Sequence, residues 1–232
     1  TGGVISDYTD GPAVYRAHIF TSSGTFDVTA PGNYGDTVEY LVVAGGGSGG
    51  GTVSAGGGRG GGGAGGLRTN VPGVVNAASA PLTISTPFAT PTTGGNGSGS
   101  YTVTIGAGAA TSGNNTSGNK GVDSYFGPPS TPDGITAAGG GAGGYGPEFS
   151  PATENDGGSG GADYNPGTPW IGLGNTPPTS PPQGNNSGQG NGETAGGGGG
   201  AGAVGTNAGG GTGGAGGAGV QVAIAGPTAT TF

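Results

Sequence analysis

The chain has 232 residues, 66 of them glycine and 18 proline, with four basic residues against twelve acidic ones and a net charge of −8. Gly and Pro at about 36%, with Leu, Val, Ile and Phe at about 14%, exclude a large hydrophobic core. A pI near 4.1 and basic side chains limited to Arg16, Arg59, Arg68 and Lys120 exclude a nucleic-acid footprint. Cysteine is absent, which excludes disulfides and thiolate metal sites. No apolar run reaches the roughly 18 residues of a membrane span, so no membrane insertion is expected. Only 7% of residues are charged, which argues against the usual disordered chain. Met is absent even at position 1, so "TGGV" follows processing or the chain is a segment of something longer.

The first 44 residues read as a β-strand base. "YRAHIF" (15–20), "TFDVTA" (25–30) and "TVEYLVVA" (37–44) are separated by the turn-rich "TSSG" and "PGNYGD". In the second of these Phe26, Val28 and Ala30 share one face, as a sheet buried on one side requires. "YTVTIGA" (101–107) places Tyr101, Val103 and Ile105 together, and the closing strand "GVQVAIA" (219–225) does the same with Val220, Val222 and Ile224. Every window long enough for a helix is interrupted by Gly or Pro, so no α-helix is expected. The remainder, 45–232, reads as a glycine-rich block within one structural domain, with loops over 67–100, 111–134 and 147–195. A stretch as long as 147–195 is too long for an ordinary connection.

Glycine tracts lie at 45–51, 56–66, 139–146, 157–161, 196–202 and 209–219. In the last, "GGGTGGAGGAG", the side chains of Thr212, Ala215 and Ala218 recur every third residue, which matches neither a helix nor a strand. A polyproline-II-type segment has three residues per turn and no internal hydrogen bonds. When all residues are glycine, neighbouring segments approach closely enough to bond through main chain, and a side chain fits only on the edge facing solvent or a sheet. Ala142 and Tyr145 keep this spacing, whereas Arg59 and Ala64 in 56–66 do not. Ordering glycine is entropically expensive, so only a cooperative array with nearly all buried backbone groups paired can stand. Collagen is excluded because these tracts are nearly all Gly and contain no Pro.

Little in the sequence fits a catalytic or metal-binding motif. "GNNTSGNKG" (113–121) fails as a phosphate loop because Lys120 is followed by Gly. "GGSGGADYN" (157–165) resembles a calcium-binding nonapeptide, but Asp163 falls one position late and the unit does not repeat, so no metal site is expected. His18, the only histidine, reads as a half-exposed strand residue; no catalytic residues and no cofactor are expected. Phe20, Phe26, Tyr40 and Tyr101 lie in strands and read as core. Tyr145, Phe149, Tyr164 and Trp170 cluster in Pro/Gly/Asn-rich sequence that no strand explains. Aromatics among Ser, Gly and Asn over a rigid base are the composition of binding loops, which makes these four the candidate binding contacts. The competing reading is that the rings pack the loops down onto the scaffold.

"FTSSGTFDV", "VEYLVVAGGGSGGG" and "GGGRGGGGAGGLRT", followed in order by "YTVTIGAGAA", "DSYFG", "GITAAGGGAGG" and "GGTGGAGGAGV", resemble the glycine-rich domain of bacteriophage tail-fibre and adhesin-type virion proteins over about residues 15–225. The resemblance implies a mainly β base carrying a block of polyglycine-II-type helices, on a virion surface or otherwise extracellular. It also implies non-covalent recognition of a host cell-surface glycan or outer-membrane protein, contacts with other virion proteins, and homo-oligomers. The alternative reading is a purely structural, self-assembling subunit such as a capsid decoration or fibre shaft. "GPPSTPD" (127–133) and the ending "GVQVAIAGPTATTF" depart from the family pattern.

Overall fold

Short antiparallel strands form where the alternation is read, and the glycine tracts run on from their ends. A computed structural model describes residues 1–29, 37–51, 58–79, 82–84, 99–127, 134–145, 152–164, 171–226 and 230–232. Strands β1 (Val4–Asp10) and β2 (Ala13–Ile19) form a hairpin, turned at Gly11, whose φ of 57° a residue with a Cβ rarely adopts. The first strand was not expected. Its adjacent Val4 and Ile5 point to opposite faces and its acids interrupt the alternation. Across the hairpin Tyr8 stacks on Tyr15 with centroids 5.4 Å apart, and Arg16 binds Asp7 at 2.8 Å. That hydrogen bond, reinforced by the guanidinium charge, holds the Asp7 carboxyl below its ordinary 3.8.

In chain order follow β3 (Gly24–Asp27), β4 (Thr37–Val38), β5 (Leu41–Val43), β6 (Leu67–Thr69), β7 (Leu82–Thr83), β8 (Ser100–Thr104), β9 (Ser124–Phe126), β10 (Ile135–Ala137), the single helical turn α1 (Ala152–Asn155), β11 (Gln221–Val222) and β12 (Thr230–Thr231). The main sheet has the order β10-β9-β8-β3, and the other strands pair as β4-β7, β5-β6 and β11-β12, all antiparallel. The chain is thus mainly β, with helix confined to one turn among the described residues. The expected strand 37–44 is broken at Glu39 and Tyr40. There the Asn70 side chain takes the Tyr40 N–H at 2.8 Å and donates to the Val38 carbonyl at 2.9 Å. Burial raises the Tyr40 hydroxyl above its ordinary value of 10.0, partly offset by the Arg68 charge. β6, β7 and β9 lie in sequence expected as loop; pieces of two or three residues are too short to show alternation.

Two small cores sit among these strands. Val28, Ile84 and Tyr101 gather Phe26, Val38 and Phe126, with Tyr101 stacked on Phe126 at 5.2 Å. Leu67, Val71, Ala201, Val220 and Val222 gather Leu41, Val43, Val74 and Ile224. Val103 is buried and Ile105 half-buried, as the alternation requires, while Ala30 lies outside the described residues.

Beyond the strands the glycine rows take over, and main chain holds them. The N–H groups of Ala44, Gly47 and Gly50 donate to the carbonyls of Gly66, Gly63 and Gly60. Those of Gly45, Ser48 and Gly51 donate to Val122, Asn119 and Thr116, and the Gly46 carbonyl accepts from Ala109 in a third direction. The next row repeats the rule, with Gly60, Gly63 and Gly66 donating to Gly144, Gly141 and Ala138. The rows that begin at Asn185 follow it too: Asn185 and Gly188 donate to Gly200 and Gly197, which donate in turn to Ala203 and Thr206. Partners recurring every third residue in three directions are the threefold screw of side-chain-free polyproline-II-type rows. The period absent from the side chains of 56–66 is therefore present in the bonding of 58–66, since a side chain reports a row's free face and not its paired ones.

The spacing between rows leaves no room for a Cβ. One built on Gly45 would lie 1.9 Å from the Ala107 carbonyl oxygen, and one on Gly139 would lie 1.9 Å from that of Gly121. Thr212, Ala215 and Ala218 are exposed, as their spacing predicts. Ala142, expected on an edge facing solvent or a sheet, is 1% exposed and lies beside α1 instead, its N–H donating to the Glu154 carbonyl.

Candidate functional site

The rows run up and down the array, antiparallel in some pairs (44–50 with 60–66) and parallel in others (45–48 with 140–143), and give it two ends. At one end the rows continue into strands: Val43 into Ala44, Gly66 into Leu67, and Ala137 into Ala138. At the other lie the described turns at 114–116, 192–194 and 209–212. Thr116, Gly60, Gly144, Ala162, Asp163 and Gly196 occupy the bonded level just inside this end.

Tyr145 and Tyr164 are placed here. Tyr145 forms an isolated antiparallel bridge with Arg59, and the Arg59 Nε donates to the Gly51 carbonyl at 2.8 Å. The Tyr164 ring passes over the neighbouring row, so that a Cβ on Gly58 would lie 2.4 Å from its Cδ2. Its carbonyl accepts the Gly192 N–H at 3.1 Å, and its own N–H donates to the Asp163 carboxylate at 2.6 Å. Asp163 is 3% exposed, and a Cβ on Gly144 would sit 2.3 Å from its Oδ1, so this carboxylate is wedged between the rows that end in the two tyrosines. Both tyrosines are half-buried, each with one side of its residue committed to the scaffold. Phe149 and Trp170 lie outside the described residues.

The turns beside them are internally fixed. Asn191 Oδ1 accepts from the N–H groups of Glu193 at 3.0 Å and Thr194 at 2.9 Å, and the Thr194 hydroxyl donates to the Thr212 carbonyl at 3.2 Å. Gly192, between them, has a φ of 87°, which this turn needs and few side chains tolerate. Asn191, Glu193 and Thr194 thus hold a polar ledge next to Tyr164. Arg59 is not singled out from sequence as a site residue, and Asp163 is weighed there only as a metal ligand and set aside. The signal for Arg59 was there, as the one long side chain interrupting a glycine tract.

A second concavity of about 440 Å³ lies between the hairpin and the main sheet, lined by Ile5, Asp7, Arg16, His18 and Phe26 among others. His18 Nδ1 is 2.7 Å from the Gly2 carbonyl, so it carries a proton and donates, while the ring meets the edge of Phe26 at 4.9 Å. Half-buried, His18 is the strand residue expected. No group of three or more metal-ligating side chains occurs among the described residues.

A family model described as a glycine-rich domain matches residues 21–231. No curated protein and no solved structure matches the chain.

Proposed function

The chain belongs to the glycine-rich domain family, and from that premise we propose that it is a bacteriophage virion surface protein, a tail-fibre or adhesin-type domain that recognises a host-surface receptor. The observation that supports this reading is the polarity of the array. One end is anchored in strands and small cores, while the other carries Tyr145, Tyr164, Arg59 and the ledge 191–194 on rows fixed by main-chain bonds. Binding groups on loops held by a rigid scaffold are the usual division of labour in recognition proteins. Tyrosine supplies contact area at small entropy loss. Recognition is non-covalent, and the receptor is a host glycan or an outer-membrane protein.

The test is binding of the full chain to a printed panel of bacterial lipopolysaccharides and capsular polysaccharides, and to outer-membrane vesicles. At least one surface should bind, and Tyr164→Ala or Trp170→Ala should weaken that binding about tenfold or more in a chain that still unfolds cooperatively. Failure to bind every surface overturns the receptor reading. Binding that survives Tyr145→Ala, Phe149→Ala, Tyr164→Ala and Trp170→Ala alike overturns the assignment of the site.

A further inference from the structure

A groove of about 870 Å³ runs between three glycine rows: 58–64, 194–201 and 213–219. On each wall lie main-chain N–H groups that donate no hydrogen bond among the described residues, those of Gly61 and Gly62, of Ala195 and Gly198, and of Gly213 and Gly216. Ala195 is 5% exposed and Gly198 is buried, so two of these idle donors sit where water has little access. Unpaired buried N–H groups are rare and unfavourable. On row 213–219 the carbonyls of Gly213 and Gly216 likewise accept nothing among the described residues. The donors on each of the two later walls stand three residues apart, the interval at which carbonyls return to one side of a polyglycine-II row.

Glycine itself is the second observation. On the paired faces a Cβ would strike backbone at about 2 Å, which explains glycine there. At Gly61, Gly213 and Gly216 it would meet no described residue closer than 3.4, 3.5 and 3.8 Å, and all three residues are exposed. Packing among the described residues does not require glycine at these positions. On the adjoining face of the same row Thr212, Ala215 and Ala218 carry side chains, so the bare face is the one turned to the groove and its surroundings. A β-sheet edge that presents idle N–H and C=O groups pairs with other chains unless charge, proline or a bulge blunts it. Segment 209–219 has neither a charged residue nor a proline.

We infer that this groove is closed by the same edge of a second copy, the two 212–219 rows lying antiparallel about a twofold axis. Idle carbonyls of Gly213 and Gly216 from each copy then meet idle donors of the other, and the contact repeats between chains the row-to-row bonding that builds each array. A twofold contact of this kind is self-complementary and closes at the dimer. The inference goes beyond receptor recognition and does not depend on it.

Sedimentation velocity of the full chain, followed by amide exchange, tests this. The wild-type chain should pass from monomer to dimer between about 1 and 100 μM, with Ala195 and Gly198 amides slowing as the dimer forms. Gly213→Lys/Gly216→Lys has room in the monomer, so its thermal midpoint at low concentration should be unchanged while dimerisation weakens at least about tenfold. Because the chain carries −8, added lysines reduce repulsion between copies, and lost association then reports the blocked face. Ala215→Lys, on the face that already bears side chains, should dimerise as the wild type does. A wild-type chain that stays monomeric throughout, a double variant that dimerises equally well, or growth into open polymers would each overturn the inference.

Discussion

A methyl group on Gly160 would sit 1.8 Å from the Gly172 carbonyl oxygen, an atom fixed in the backbone of an adjoining row and unable to rotate aside. Gly108 is also glycine and also in a row, yet a Cβ there finds its nearest neighbour among the described residues at 3.9 Å. Composition treats the two alike; the array does not. Gly160→Ala should therefore lower stability by about 3 kcal/mol or more, since the rows must part to admit the methyl. Gly108→Ala should stay within about 0.5 kcal/mol of the parent, the narrower unfolded ensemble favouring the variant slightly. Urea unfolding of the two variants beside the parent checks both. Similar midpoints for the pair would mean that the close spacing around Gly160 relaxes easily and is not what demands glycine.

At the scale of elements, loop 175–183 shows how a long polar stretch is tied to the rows. Gln183, 2% exposed, accepts the Ala138 N–H on Oε1 at 2.8 Å and donates from Nε2 to the Pro177 carbonyl at 2.9 Å. Its main-chain carbonyl takes the Leu67 N–H at 2.7 Å, so one residue joins β6, the row after β10 and its own loop. Gln183→Leu keeps the volume but leaves a buried N–H and a carbonyl without partners, at roughly 2–4 kcal/mol. Amide exchange should accelerate at Ala138 and Thr179 before anywhere else. Unchanged exchange at both would show that the loop is held without the glutamine. Glutamine in a Pro- and Asn-rich stretch carries no sequence signal of this role, because its partners are backbone groups 45 positions away in the case of Ala138. What was legible had a period. The alternation of Phe26 and Val28, of Tyr101 and Val103, and of Val220 and Val222 marked core faces, and the triplet at Thr212, Ala215 and Ala218 marked an open face of a row. The hairpin strand Val4–Asp10, the break at Tyr40 and the wedge of Asp163 between rows had none, since each depends on contacts between distant segments. Of the candidate site, Tyr145 and Tyr164 could be named from composition, but their convergence on Arg59 and Gly58 follows from row register alone.

For the whole molecule, the bonding makes folding a collective matter. No row holds itself together: Gly63 donates to Gly141, Gly141 to Ser159, Ser159 to Ala64 and Ala64 to Gly199. Each of these bonds joins segments far apart in sequence, so removing one row strips partners from two or three neighbours at once. An ordinary flexible glycine linker exchanges its amides at near-intrinsic rates, whereas here the interior amides open only if several rows separate together. Native-state exchange should thus give Gly63, Gly141 and Gly161 protection comparable to Val103 in β8, although the rows contain neither helix nor sheet. All should converge on one opening free energy as denaturant is raised. The same long-range bonding predicts slow folding, because loop closure precedes every stabilising contact. Row amides that exchange orders of magnitude faster than Val103, or each with its own denaturant dependence, would show that the rows move independently. The tyrosines at their ends would then have no rigid base from which to bind.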